Sequence, residues 1–114
     1  MSQHDPMVRL LHMRDFAQKV VRMAQGQTRD DLDRDEKLLY ALTRLVELIG
    51  EAASRLPLDV RQQHPQIPWA KITGMRNRLI HGYDSVDCDI LWQTITVSLP
   101  ALIAKLDAIL GPGA

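Results

Sequence analysis

"LLYALTRLVELIGEAASRL", residues 38 to 56, decides the fold of this 114-residue chain. Leu38, Leu42, Leu45, Ile49, Ala52 and Leu56 recur in alternating steps of four and three, the spacing that lines one stripe of an α-helix. Leu39, Val46 and Ala53 widen that stripe, so the helix is expected to be buried on more than one side. Gly50, in its interior, costs about 1 kcal/mol against alanine, which predicts close approach by a neighbouring backbone. Tyr40 is read as a packed ring of the same helix. Pro57 marks the end of the run.

Helical patterning extends in both directions. Asp5 and Pro6 supply a cap and a first-turn proline, and Val8, Leu11, Phe16, Val20 and Met23 follow before Gly26 stops the helix. "QTRDDLDRD" (27 to 35) is a polar link with one short helical turn begun by Thr28. "PLDVRQQHPQIP" (57 to 68) reads as a turn of helix and a loop, with Pro65 and Pro68 as breakers. Pro68 then opens a helix through "WAKITGMRNRLIH" (69 to 81), with Gly82 as its stop. A last helix runs from about Asp87 to Leu110 and should kink at Pro100, whose ring displaces a backbone hydrogen bond. No β-like alternation and no internal repeat interrupts this pattern. The chain therefore reads as a single all-α domain over residues 1 to 110, with "GPGA" (111 to 114) as a flexible tail.

Composition narrows the function. Fourteen basic and fourteen acidic residues cancel, which argues against a protein that coats nucleic acid through a broad basic face. Any nucleic-acid contact must be local. A single cysteine, Cys88, cannot close an internal disulfide and suits a reducing compartment. "MSQHDPMVRLLHMRD" lacks the apolar core of a signal peptide, and no apolar stretch is expected to reach the ~20 residues of a membrane span. These features predict a soluble, cytoplasmic protein.

The chemistry gathers in "RNRLIHGY", residues 76 to 83. On a continuous helix, Ile72, Met75 and Leu79 share one stripe and face the core. Asn77 and His81, four apart, share another, and Arg76 lies between the two. Arg76, Asn77 and His81 can then converge on one patch that suits a phosphodiester. Arginine grips phosphate oxygens in a fork, asparagine donates to phosphate or ribose, and histidine moves protons near neutral pH. The structural alternative stands beside this one: a histidine before a helix-ending glycine can simply complement the negative end of the helix dipole. Tyr83 likewise has a structural reading, a packed ring whose hydroxyl caps a helix end.

Other constellations carry less. His4, His12 and His64 are scattered, and no His, Cys and carboxylate set has zinc spacing. Met7, Met13 and Met23 read as core or dimer surface. Gly74 and Gly82 are too far apart for a phosphate loop. "DDLDRDE" has the charge of a calcium loop without its glycine or terminal glutamate, and reads as a solvated face.

Taken together, "LIGEAASRL" (48 to 56) and "IPWAKITGMRNRLIHGY" (67 to 83) resemble the HEPN ribonuclease superfamily, and within it the HepT-like toxins of HepT–MntA toxin–antitoxin pairs. The superfamily's arginine, short gap and histidine fall on Arg76 and His81. The polar residue after the arginine falls on Asn77, and the tyrosine two places beyond the histidine falls on Tyr83. The resemblance spans nearly the whole chain. It implies a HEPN-type bundle of four to five helices that forms a homodimer with the two motifs meeting in a shared groove. It also implies a metal-independent ribonuclease without cofactor, acting on tRNA through the ribose 2′-hydroxyl, and neutralised when a MntA-like nucleotidyltransferase adds AMP to Tyr83.

On this reading Arg76 and His81 are catalytic, while Asn77, Arg78 and Lys71 bind substrate. Lys71, Arg76 and Arg78 would give the groove a positive field despite the neutral total. The dimer contact would come from the Leu38 to Leu56 seam or from the last helix. Two other classes compete. In one, the chain is a non-catalytic helical partner of a nucleotidyltransferase, a role that near-zero net charge suits. In the other it is a metal-dependent nuclease, which would require a carboxylate cluster beside His81 that the sequence does not offer.

Overall fold

Local chemistry starts the first and third helices where the sequence suggests. The computed structural model describes residues 5 to 82 and 85 to 112. Asp5 Oδ1 accepts the Met7 amide at 2.7 Å and Pro6 sits in the first turn, opening α1 (Pro6–Ala24). Gly26, at φ +78°, turns the chain out of it. A single turn, α2 (Asp31–Arg34), is held to the last helical run because Arg29 reaches Asp33 at 3.0 Å and Asp89 at 2.6 Å. Asp35 then caps α3 (Glu36–Ser54) through the Leu38 amide at 3.1 Å. Asp31, Asp33 and Asp35 of this acidic run are thus engaged in caps and ion pairs. No group of three metal-type ligands occurs among the described residues.

α3 is the central element. Leu42, Val46, Ile49, Ala52, Ala53 and Leu56 are buried, while Leu38, Leu39 and Leu45 are partly covered. α1 packs along it through Leu10, Met13, Ala17 and Val20. The close approach expected at Gly50 is present: a Cβ there would lie 3.2 Å from the Ile72 carbonyl oxygen. That contact sets α3 directly against α5. Tyr40, in contrast, is not packed; it is 58% exposed.

α4 (Leu58–Gln62) is the short turn expected after Pro57. The helix expected over residues 69 to 81 is instead two pieces, α5 (Trp69–Thr73) and α6 (Met75–Leu79), which meet at Gly74. Trp69 anchors the start by donating its indole N–H to the His64 carbonyl at 3.0 Å. α6 stops at Ile80, which is extended (φ −109°, ψ 118°) and pairs with Val86 in an antiparallel bridge. Hydrogen bonds from His81 N to Ser85 O (2.8 Å) and Asp87 N to Leu79 O (2.7 Å) flank that pair. His81 therefore lies outside the helix, and the expected Asn77/His81 stripe does not form. A nonlocal pairing ends α6 before Gly82 (φ +76°) can do so.

The last helical run is continuous from Cys88 to Leu110 but changes register. Asp87 Oδ1 caps α7 (Cys88–Gln93) through the Ile90 amide at 3.0 Å. A π turn covers Thr94–Ser98, with Leu99 N bonded to Thr94 O, and α8 (Leu99–Leu110) follows. The strain expected at Pro100 is thus absorbed upstream of it. The wider π turn leaves Pro100 in the first turn of α8, where its missing N–H is not needed. Contrary to the sequence expectation, this run is long and apolar enough to cross a membrane by length and composition, with a mean hydropathy of 1.3. Its apolar side, Leu91, Ile95, Leu99, Leu102 and Leu106, is nonetheless buried in the bundle.

Arg14 ties α1 to the end of α8 by reaching Asp107 at 2.9 Å and the Gly111 carbonyl. Gly113 and Ala114 of the expected tail lie outside the described residues. The architecture is all-α, with no strand among the described residues.

Candidate active site

Two adjacent elements carry the motif, a short helix and the loop that follows it. α6 is only one turn and a half long, so it depends on Met75 and Leu79, both buried, to hold it against the bundle. With that face inward, Arg76, Asn77 and Arg78 are presented outward as successive exposed residues. Arg76 leans toward α3, where its Nε donates to Glu47 Oε2 at 2.9 Å. The glutamate is 18% exposed and the arginine 60%. Binding through Nε leaves the two terminal nitrogens of the guanidinium, which form a fork suited to phosphate oxygens. Among the described residues no other partner holds Arg76.

Arg76 and Glu47 line a groove of about 520 Å³ with Tyr40, Thr43 and Arg44 of α3, closed at one end by the bridged pair Ile80 and Val86. Arg44 lies 4.0 Å from Glu47 and 3.4 Å from Glu51, so the groove alternates charge instead of being uniformly basic. Its exposed ring, Tyr40, is available for stacking.

His81 follows Ile80 directly and is 59% exposed. Its Nε2 lies 3.7 Å from Asp87 Oδ2, too far for a hydrogen bond but an ion pair whenever the imidazole is protonated. Asp87 is anchored by its other oxygen. The bond from the Ile90 amide, foremost, holds the Asp87 carboxyl below the usual carboxylate range; the Asp89 amide and nearby His81 add to this. It therefore offers a fixed negative charge beside His81 at neutral pH. Nearby Cys88 is shifted the other way, since burial raises its thiol above the ordinary value and keeps it protonated.

Lys71 and Arg78 are not in the Arg76 groove. Both line a second hollow, between α5, α6 and α8. The reason was present in the spacing: residues 76 and 78 are about 200° apart on a helix. Asn77 lies between them on the exposed edge. Tyr83 lies outside the described residues. Glu47 and Asp87, which hold Arg76 and face His81, were not singled out in the sequence. Glu47 is 29 positions from Arg76, and no local pattern announces that pairing.

Comparison with known proteins now bears on this geometry. The profile of the family described as "Ribonuclease HepT-like" matches residues 13–109. The chain belongs to this family. A protein of Thermococcus cleftensis named "Probable ribonuclease HepT" is 40% identical over 78 residues, covering 68% of this chain and 71% of that protein. A protein of Caldanaerobacter subterraneus subsp. tengcongensis whose name carries the word RNase is 36% identical over 101 residues, covering 89% of this chain and 90% of its own. A third, from Methanocaldococcus jannaschii and also bearing RNase in its name, is 27% identical over 110 residues, or 96% of this chain and 91% of that one. No solved structure matches. Both halves of the motif, Arg76 and His81, fall inside the region matched by the HepT-like family.

Proposed function

We propose that this HepT-like chain is an endoribonuclease that cleaves RNA, with tRNA as the substrate class, by metal-independent transesterification in a homodimer. The observation that carries the reading is Arg76, exposed and held at Nε by Glu47 at 2.9 Å, followed five residues later by an exposed His81 on the bridge-anchored turn. In the reaction the ribose 2′-oxygen attacks the adjacent phosphorus. The 2′-O–P bond forms as the 5′-O–P bond breaks, giving a 2′,3′-cyclic phosphate and a 5′-hydroxyl.

One histidine must take the 2′-hydroxyl proton and another must protonate the leaving 5′-oxygen. Each chain supplies a single motif histidine, so the second is His81 of the partner subunit. The Asp87 carboxylate faces the charge that an imidazole acquires on taking the proton. The Arg76 forks stabilise charge on the non-bridging oxygens as the pentacoordinate phosphorus forms. Asn77 contributes a donor to phosphate or ribose. Leu42, Val46, Ile49 and Ala53 are buried within the chain, so an α3 dimer contact would have to use the exposed side of that helix, and the last helix is the other candidate surface.

The protein acts as a cytoplasmic toxin, silenced by a MntA-like nucleotidyltransferase antitoxin that transfers AMP to Tyr83. AMP two residues from His81 in sequence would add negative charge and an adenine to the motif, where the charge could compete with RNA phosphate for arginine. Domain limits of 1 to 110 are part of the same reading.

The decisive experiment is RNA cleavage by wild type and His81→Ala, with and without EDTA, alongside light scattering. Cleavage that leaves cyclic phosphate ends, survives EDTA and is lost in His81→Ala is the expected result, with a dimer mass. Turnover that requires a divalent ion, persists in the variant or belongs to a monomer would reject the shared-site mechanism.

A further inference from the structure

The hollow that holds Lys71 and Arg78 has a third cation that the motif does not mention. Lys105 of α8 stands on the opposite rim, over an apolar floor made by Ile72, Met75, Leu99 and Leu102. Six of the other eleven cations, Arg14, Lys19, Arg29, Arg34, Arg44 and Arg76, have a carboxylate within ion-pair reach. Among the described residues Lys71, Arg78 and Lys105 have none, and no acidic residue lines the hollow. Three cations from three helices therefore converge without a counter-charge on a protein of zero net charge.

We propose that this hollow is a second RNA subsite, taking one nucleotide that flanks the cleaved bond, with its phosphate on Lys71, Arg78 and Lys105. The proposal rests on the ribonuclease reading above. Charge complementarity selects an anion, and the apolar floor selects one that carries a flat or weakly polar body as well. At about 160 Å³ the hollow is smaller than the ~300–1,000 Å³ of sites for drug-sized ligands. It has room for one base or one ribose, with the phosphate left at the rim, and not for a peptide helix.

Continuity with the Arg76 groove selects RNA over a free anion. α6 is about 10–12 Å across with its side chains. Arg76, Asn77 and Arg78 form an unbroken exposed edge between the two sites, so a strand crossing that edge meets both in sequence. The hollow would hold the strand while the groove performs the chemistry, and its residues should set KM more than kcat.

A short fluorescent 2′-O-methyl RNA tests this, because it cannot be cut and its binding is read by anisotropy independently of turnover. Wild type, Lys105→Gln and the double variant Arg78→Gln/Lys105→Gln are compared across salt, with Lys19→Gln as a charge-matched control and Lys105→Arg as the rescue. Each lost phosphate contact should weaken binding by roughly threefold and reduce the log–log salt slope by about 0.7. In cleavage assays KM should rise to match while kcat holds in Lys105→Gln, and Lys105→Arg should restore both the KM and the RNA affinity.

If wild type binds the uncut RNA with this dependence but cleaves nothing, the subsite stands and the nuclease reading falls. If cleavage is normal and both variants bind and titrate like wild type, the subsite falls and the nuclease reading stands. Displacement of wild-type RNA binding by AMP at equal concentration would overturn the proposal in favour of a free-nucleotide site. A changed mass in Lys105→Gln at unaltered RNA affinity would overturn it in favour of a protein interface.

Discussion

Replacing Glu47 by glutamine separates orientation from folding at the site. The substitution keeps the size and an oxygen for Arg76 Nε, but removes the negative charge that holds the guanidinium at 2.9 Å. Arg76 is 60% exposed, so solvent screens the pair and its contribution to stability falls within the roughly 0–1 kcal/mol of exposed ion pairs. For a chain of this size that limits the loss in Tm to about 4 °C. Arg44 keeps its contact with Glu51 at 3.4 Å, so the rest of α3 has no reason to rearrange. Catalysis should respond more strongly. A guanidinium no longer fixed at Nε samples orientations in which its fork misses the phosphorane oxygens, and misplacement of that kind costs up to ~100-fold in rate. We expect kcat to fall roughly 10- to 100-fold, KM to move little, and Arg76→Lys to fail as a substitute because ammonium lacks the fork. The assays are cleavage of a fluorogenic RNA and a thermal melt by circular dichroism. A kcat unchanged in Glu47→Gln would refute the orienting role, and a Tm loss well beyond about 4 °C would make Glu47 a folding element instead.

Gly50→Ala gains about 1 kcal/mol of helix propensity yet places a Cβ 3.2 Å from the Ile72 carbonyl oxygen, so urea unfolding should show no net gain. Gly50→Val adds bulk against the same backbone and should lose about 1–3 kcal/mol; a stabilised alanine variant would mean that α5 yields easily. Leu79→Ala, at a fully buried anchor of α6, should cost about 2–5 kcal/mol in the same measurement, and less than that would show the helix to be loosely seated. Asp31 and Asp87 both titrate below the usual carboxylate range, chiefly through backbone bonds from Thr28 and Ile90 respectively. Depressed carboxylates stabilise the fold above their unfolded value and lose that contribution as pH falls through the folded one, so Tm should hold near neutrality and drop below about pH 4. A Tm that rises on acidification there would contradict the assigned sign.

What could be read from the sequence was whatever a single segment determines by itself. The α3 stripe and the Asp5 cap depend on neighbours within a few residues. The approach at Gly50 was legible because only a close neighbour explains a glycine inside so regular a helix. The early end of α6 was not, since it is imposed by Val86 pairing with Ile80 from across a turn. The same applies to Glu47, whose partner is on another helix, and to Tyr40, whose exposure depends on what fails to cover α3. Pro100 signalled a disturbance correctly but not its position, because the helix absorbed it through a π turn at Thr94–Ser98. The separation of Arg76 from Arg78 could have been found from helical angle alone. Grouping both with Lys71 by charge obscured it.

The bridge between Ile80 and Val86 divides the two halves of the motif between regions of different stability. Arg76 belongs to a helix seated by Met75 and Leu79, and it is released only when that helix leaves the core. His81 sits on a turn fastened by one bridge pair and the bonds at 2.8 Å and 2.7 Å beside it. Such a fastening can open locally at far less free energy than the bundle requires. Warming the protein should therefore detach the histidine while the arginine is still in place. Thermal inactivation would then precede unfolding, and amide exchange at His81 and Asp87 would run ahead of that at Leu79, so heat resistance of activity could be improved by tightening this one turn without altering the helices.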